Sequence, residues 1–550
     1  MKLLQHFKEL TIRPKNAKEL KGLILQLAIQ GKLTANWRQE NPEVKLDYKK
    51  LIEISEKNLE FLTKESNSIN QLDVPTTWLK LKFKTLFEMQ GGSQPPKSKF
   101  SSTKLDGYIR LYQIRDFGKK PVPVYVPKES VSKLCTEDDV MIGRYGASIG
   151  KIFYGKNGAY NVALVRLIWN RDLLEQNFVY QTFSSFYMQE FFQNCTRSAQ
   201  AGFNKTDMGK LNIPLPPLEE QKEIVKVVET LFKEIEQLEQ LTVQRIGLKE
   251  DFVTSALHQL TTNNANQEWT FLQDHFKSFF NETTNIKKLR ETVLQLAVQG
   301  KLTADWRSRH PELVSGSNHA SQLLKRIQEE KAQLIKDKKI KKEKALPPIT
   351  KDEIPYELPN GWVWCRLGNY AHYGALSKYE NEDASIDTWV LELEDIEKGS
   401  SELLKKVRFS ERDFKSTKSV FKSSDVIYGK LRPYLDKVIV ADEDGVCTTE
   451  MIPIKSFGSS NPEYLRWYLK HPDFIEYANS STHGMRMPRM GTDVAKKVLI
   501  SVPSLEEQKV IVEKVNTLMS LCNALEQEVQ QSQKHSELLM QSVLREVFEN

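Results

Sequence analysis

The chain lacks most of the features that would assign it a chemistry of its own. Its five cysteines (Cys135, Cys195, Cys365, Cys447 and Cys522) are odd in number, scattered and never spaced CxxC. That argues for reduced thiols in a cytoplasm, and against a disulfide framework or a structural zinc site. The nine histidines form no ligand-spaced cluster. No apolar run approaches the roughly 18 residues of a membrane span, and the opening MKLLQHFKELTIRPK has no long apolar core, so no signal peptide is expected. HExxH, GxSxG and a strand-linked GxGxxG are all absent. GASIGK (146–151) has its glycines one residue too close for a phosphate-binding loop, and Ile152 follows where a magnesium-holding Ser or Thr must stand. Acidic residues abound without a catalytic constellation, and Asp139, Asp395 and Asp425 sit where turns use a side-chain cap. A net charge of +7, from 79 basic and 72 acidic residues, permits nucleic-acid binding without demanding it. These absences leave a reader or a scaffold rather than an enzyme.

What is present is present twice. LQLAIQGKLTANWR (25–38) returns as LQLAVQGKLTADWR (294–307), and HFK (6–8) returns at 275–277. PTTW (75–78) corresponds to PNGW (359–362), and DDVMIGRYGASIGK (138–151) to SDVIYGKLRPYLDK (424–437). PLEEQKEIVKVVETLF (217–232) corresponds to SLEEQKVIVEKVNTLM (504–519). The order never changes, so 1–268 and 269–550 read as one module in tandem. Within it the stretches around Gln26 and Leu218 match closely, whereas 75–212 and 359–500 match only at scattered positions.

The closely matched parts have helical periods. Ile224, Val228, Leu231, Ile235 and Leu238 step by four and three, with Thr242 next; Ile511, Val515, Leu518, Cys522, Leu525 and Val529 occupy the same places. Ser504 with Glu507 reads as a capping box, and Pro216–Pro217 marks the other start. Each helix is predicted to run about forty residues, roughly 60 Å. Two such seams pair most simply with each other, antiparallel; the alternative is that each packs on its own domain. KELKGLILQLAIQ (18–30) is amphipathic, and Gly31 and Gly300 stand where a left-handed cap would end such a helix. Trp37 and Trp306 are expected against that turn, with a partner-docking face as the alternative. VTSALHQL (253–260) matches MQSVLREV (540–547) in register, so the last helix is expected to end near the first.

The variable stretches are strand-rich: YIRLYQI, VPVYVP, KIFYG and VALVRLIW in the first, WVLEL, DVIYGKL and KVIVAD in the second. Their loops carry cations, amides and aromatics suited to phosphates and base edges. The candidates are Lys97, Arg110, Arg144, Tyr145, Lys151, Asn204 and Lys205 in the first, and Lys378, Lys430, Arg432, Tyr434, Lys437, Arg486 and Arg489 in the second. Any one of these is also an ordinary solvated surface residue; recurrence at matched places favours the functional reading. The expected fold is α+β: two mixed, strand-rich domains separated by two long antiparallel helices forming a coiled coil, pseudo-two-fold by duplication.

The LQLAIQGKLT and LQLAVQGKLT strings, the PLEEQKEIV and SLEEQKVIV helix starts and the PxxW strings resemble those of the specificity (S) subunits of type I restriction–modification systems. The resemblance covers essentially the whole chain. It implies target-recognition domains at 75–212 and 359–500, each reading half of a bipartite asymmetric DNA sequence. Around them it implies an N-terminal helical region (1–74), a central long helix (213–268), a second copy of the N-terminal helical element (269–358) and a C-terminal long helix (501–550). The frame residues would be Ile224, Val228, Leu231, Ile235, Leu238, Ile511, Val515, Leu518 and Leu525. The implied partners are double-stranded DNA, two methyltransferase subunits and restriction/translocase subunits, with no membrane. S-adenosylmethionine, ATP and magnesium would be bound by those partners and none by this chain, in which no NPPY- or DPPY-type motif occurs. GGSQPP (91–96) has no clear counterpart in the second copy, where YAHYGALSKY (370–379) stands. The rivals are a coiled-coil scaffold that never touches DNA and an enzyme with a cryptic nuclease site.

Overall fold

The structure, a computed structural model, describes residues 14–47, 51, 73–195, 202–262, 266–374, 377–379, 385–458, 460–483 and 487–549. The chain divides into two compact units, Met1–Ile246 with Glu537–Asn550, and Gly247–Ser536. It is a mixed helix and strand protein with two strand-rich domains joined by a long helix.

The first unit begins with helix α1 (Pro14–Ile29), whose Leu20, Ile24 and Ala28 are buried. Its strand-rich domain opens with β1 (Leu79–Lys82) and continues through β2 (Phe87–Gly91), β3 (Tyr108–Tyr112), β4 (Tyr125–Pro127) and β5 (Leu134–Cys135). Then come β6 (Val140–Gly143), β7 (Ile152–Tyr154), β8 (Gly158–Tyr160), β9 (Leu164–Trp169), helices α2 (Gln176–Ser184) and α3 (Phe186–Cys195), and β10 (Asn212–Leu215). One sheet runs β2-β9-β6-β7, all antiparallel; the other runs β4-β3-β8-β5, with β3 and β8 parallel. β1 pairs antiparallel with β10, so the strands entering and leaving the domain close it. Helix α4 (Leu218–Thr262) follows, 45 residues long.

The second unit repeats this order. Helices α5 (Thr283–Val298) and α6 (Ala320–Lys336) precede β11 (Val363–Arg366), β12 (Ala371–Tyr373), β13 (Lys378–Tyr379), β14 (Trp389–Leu391) and β15 (Lys418–Phe421). β16 (Val426–Gly429), β17 (Val438–Val440), β18 (Gly445–Cys447) and β19 (Met451–Ser456) lead to helices α7 (Pro462–Leu469) and α8 (Pro472–Ser480). β20 (Thr482–His483) and β21 (Arg489–Met490) form a short ribbon before β22 (Leu499–Val502) and the 45-residue α9 (Leu505–Glu549). The sheets run β12-β19-β16-β17 and β13-β15-β18-β14, again with one parallel pair, β14 with β18. β11 pairs with β22 as β1 pairs with β10.

The closely matched strings meet at one buried carboxylate in each unit. Glu220, on the first turn of α4 and 1% exposed, accepts from Thr34 Oγ1 and Trp78 Nε1, each at 2.8 Å, and from Arg38. Glu507, on the first turn of α9 and 0% exposed, accepts from Thr303 Oγ1 and Trp362 Nε1, each at 2.7 Å, and from Arg307. Arg38 and Arg307 each donate a second bond at 2.8 Å, to the carbonyls of Gly31 and Gly300. Those glycines adopt φ +68° and +70°, as their cap position predicts. A Cβ on Gly31 would stand 2.6 Å from Pro75 and 2.9 Å from Trp78; one on Gly300 would stand 2.7 Å from Pro359 and 3.0 Å from Trp362. The next residue on each helix continues the pattern. Gln221 Oε1 accepts from Glu175 N at 2.9 Å and Gln508 Oε1 from Asn461 N at 3.0 Å, at the starts of α2 and α7.

Two sequence expectations change here. The tryptophans against the glycine turns are Trp78 and Trp362 of the PxxW strings, not Trp37 and Trp306, which are half-buried; Trp306 instead stacks on His310. Ser504 Oγ does accept from Glu507 N at 3.2 Å, but the Glu507 side chain is taken by Thr303, Arg307 and Trp362 instead of closing a capping box.

The apolar seam is buried, with divided partners. Ile224, Val228 and Ile235, flanked by Leu231 and Leu238, lie in the first unit's own core with Leu20 and Ile24 of α1. Ile511 and Val515, flanked by Leu518, lie in the second unit's core with Val293 and Ala297 of α5. The apolar face of the preceding short helix thus covers the first turns of each seam. Farther on, Val253, Ala256 and Leu257 of α4 share one cluster with Ile286 and Leu289 of α5 and Cys522 and Val529 of α9, flanked by Leu525.

Removing a buried charge partner while leaving its donors in place costs about 3–5 kcal/mol. Glu220→Ala is therefore expected to lower the stability of the first unit by that order, and Glu220→Gln, which keeps one acceptor oxygen, by less. Urea unfolding followed by tryptophan fluorescence reads the change; an unaltered midpoint for Glu220→Ala would contradict it.

Candidate nucleic-acid interface

In each strand-rich domain a tight loop springs from a fully buried central strand, β6 or β16. Its base is fixed by backbone bonds that recur pair for pair. Gly143 N donates to Lys151 O and Gly429 N to Lys437 O, both at 2.9 Å. Arg144 N donates to Ala163 O at 2.9 Å and Lys430 N to Glu450 O at 3.0 Å. Tyr145 bridges to Gly202, and Leu431 to Arg489. The turn uses two left-handed positions: Gly146 (φ +59°) and Gly150 (φ +74°) in the first domain, Arg432 (φ +52°) and Asp436 (φ +49°) in the second. Asp139 and Asp425 anchor the preceding turns as expected, each accepting at 2.8 Å from the backbone N three residues earlier, and Asp395 does the same for Glu392.

The first domain gathers several candidates. Arg144 Nε donates to Phe203 O at 3.1 Å, its guanidinium 5.0 Å from the Tyr145 ring. A cavity of about 370 Å³ beside it is lined by Met89, Gly91, Arg144, Val165, Asn204, Lys205 and Thr206, so strands β2 and β9, the loop after β6 and the 204–206 stretch meet there. Tyr145 is 45% exposed, and Lys97, Lys151 and Lys205 are exposed. The Asn204 side-chain oxygen is committed to a helix cap, accepting from Thr206 N and Asp207 N at 2.8 and 3.0 Å. Arg110 stands apart. It pairs with buried Asp116 at 2.9 Å, lies over Tyr112 and Tyr125, and lines another cavity of about 470 Å³ with Tyr108 and Lys156.

In the second domain Lys430 is half-buried, Arg432 is exposed and Tyr434 is 55% exposed. Arg489 forms a two-pronged pair with Glu450 at 2.8 and 3.0 Å, which holds the Glu450 carboxyl below its usual range. Lys437 turns inward, Nζ donating to Leu393 O at 2.7 Å, and burial pulls its pKa down. Lys378 is exposed on β13, an edge strand of the other sheet. Arg486 lies outside the described residues.

The sequence reading missed the anchor under this loop. Lys470 Nζ is buried and donates to Asp436 Oδ2 at 2.7 Å, Ser401 Oγ at 2.7 Å and Gly399 O at 3.0 Å. Burial pushes the Asp436 carboxyl up to about 6, against the opposing pull of Lys470. No local pattern could reveal this, since the partners come from three distant stretches of chain. Among the described residues no group of three or more His, Cys, Asp or Glu could hold a metal ion, and no helix is long and apolar enough to cross a membrane.

Each of the two strand-rich domains thus carries a polar loop on a fixed base. The Methylase_S family, described as the type I restriction modification DNA specificity domain, matches residues 75–245 and 392–533, more than half of the 550. The chain belongs to that family. It is 31% identical over 332 residues to the Type I restriction enzyme EcoAI specificity subunit of Escherichia coli, covering 57% of this chain and 54% of that one. It is 40% identical over 160 residues to the EcoEI specificity subunit of Escherichia coli, covering 28% and 26%. The chain thus spans about half or less of the length of these curated relatives. A solved structure titled as the HsdS subunit from Thermoanaerobacter tengcongensis covers 86% of this chain and 97% of its own, at 16% identity and a TM-score of 0.40.

Arg144→Ala and Lys430→Ala remove the matched cations of the two loops. Each is expected to weaken duplex-DNA binding and to reduce the slope of log affinity against log salt by about one. Titration by fluorescence anisotropy at several salt concentrations measures both; a double variant with unchanged affinity and slope would remove these loops from the interface.

Proposed function

We propose that this chain is the DNA-reading specificity subunit of a type I restriction–modification complex, non-catalytic itself and working in the cytoplasm. Each strand-rich domain reads one half of a bipartite asymmetric target through its anchored loop. Arg and Lys meet phosphates or guanine edges, and exposed Tyr145 and Tyr434 offer stacking faces. The observation that carries this reading is the recurrence of one loop base with different side chains on it, in a chain of the specificity-domain family.

The long helices act as the spacer. At 1.5 Å per residue, 45 residues span roughly 67 Å, just under two turns of duplex and so long enough to hold readers one to one and a half turns apart. Pairing of α4 with α9 as an antiparallel coiled coil, pseudo-two-fold by duplication, is supported by their shared cluster at Val253, Leu257, Cys522 and Val529. Exposed Leu241, Val243, Leu248 and Leu521 on the two helices suit the docking of two methyltransferase subunits. Restriction/translocase subunits then join, and S-adenosylmethionine, ATP and magnesium bind to those partners.

The test is binding and modification by the reconstituted complex. Salt-dependent binding of duplex DNA and methylation only in this chain's presence are expected, with no cleavage by the chain alone in magnesium. A chain that binds partners but leaves DNA affinity and methylation unchanged is a scaffold, and metal-dependent cleavage by the lone chain would make it a nuclease; either outcome overturns the reading.

A further inference from the structure

We infer that Arg432 is the guanine-reading, specificity-determining side chain of the second strand-rich domain, and that buried Lys470 is the positioning residue that holds its loop. The inference rests on the DNA-reading function proposed above. Both domains fix the base of the loop by the same backbone bonds, but they fill its two left-handed positions differently. Glycine takes both in the first domain, at Gly146 and Gly150, where no Cβ crowds the following carbonyl. The second domain puts Arg432 and Asp436 there, at φ +52° and +49°. Side chains in this region are strained, and such strain persists only where surrounding contacts over-determine it, chiefly at functional positions.

Those contacts are present. Arg432 N donates to Pro488 O at 2.8 Å, Leu435 N to Arg432 O at 2.9 Å and Gly399 N to Leu435 O at 2.9 Å. Lys470 binds Asp436, Ser401 and Gly399 together, and Ser401 Oγ donates onward to Asp436 O at 2.7 Å. The two strained residues end up with opposite roles. The Asp436 carboxylate faces inward and is bound by Lys470. The Arg432 side chain is exposed and makes no hydrogen bond or ion pair with the described residues. The nearby Arg489, by contrast, already has Glu450 on both prongs. The loop therefore presents one uncommitted guanidinium from a fixed base, and the group that fits its two parallel N–H donors in a DNA groove is the O6/N7 edge of guanine.

Arg432→Gly separates this role from folding, because it installs the first domain's own residue at that position. In the complex with its methyltransferase partners, on duplexes substituted one base pair at a time, its melting temperature should be no lower than wild type. Discrimination at one position of one half-site should fall roughly tenfold or more, while the other half-site is read unchanged. Arg432→Lys, which keeps the charge but not the fork, should lose the same discrimination and retain affinity for random duplex. Lys470→Met should blur the same half-site only. Full discrimination in Arg432→Gly, or an equal loss on cognate and random DNA in both Arg432 variants, would overturn the inference and leave the DNA-reading function standing. A wild-type complex unable to distinguish any target from random DNA would overturn both.

Discussion

Everything that must stay fixed in this protein converges on a buried carboxylate, Glu220 in one unit and Glu507 in the other. A charge out of water must be matched by donors of good geometry. Here the donors are three side chains from two stretches: a threonine and an arginine just after α1 or α5, and a tryptophan where the strand-rich domain begins. Helix, turn and domain are locked to one another through two oxygens. That is why QGKLT, PxxW and LEEQ are the strings the two copies share. Loss of the threonine, arginine, tryptophan or glutamate leaves a buried polar group unsatisfied.

Freedom begins where the carboxylate's reach ends. The two strand-rich domains keep the same strand skeleton, including one parallel pair in each, β3 with β8 and β14 with β18. They differ at the edges and tips. The first adds β4 beside its parallel pair; the second extends the opposite side of that sheet with β13. The central loop keeps its backbone bonds and exchanges its side chains, Arg144 and Tyr145 against Lys430 and Leu431, and glycines against Arg432 and Asp436. The two domains thus share a strand skeleton and differ at their edges and tips.

Much of this was legible in the sequence because it is periodic or duplicated. The two long helices, the left-handed caps at Gly31 and Gly300, the principal strands and the turn-capping roles of Asp139, Asp395 and Asp425 all follow from local pattern. What was not legible depends on contacts far apart in sequence. Trp78 lies on Gly31 across a variable segment, so adjacency wrongly favoured Trp37. Glu507 satisfied the local form of a capping box, but distant donors took its carboxylate. The seam's period was plain, yet periodicity names no partner, and α1 and α5 proved to cover its first turns. In the candidate site, Arg110, Lys437 and Arg489 looked like available cations until Asp116, the Leu393 carbonyl and Glu450 were seen to occupy them.

The function we propose requires that one chain present two dissimilar readers at a set separation. It is tested most directly by selecting duplexes from a randomised pool with the assembled complex and sequencing those retained. Two unlike short motifs joined by a gap of constant length are expected. A single contiguous motif, or two motifs whose gap varies freely, would contradict it.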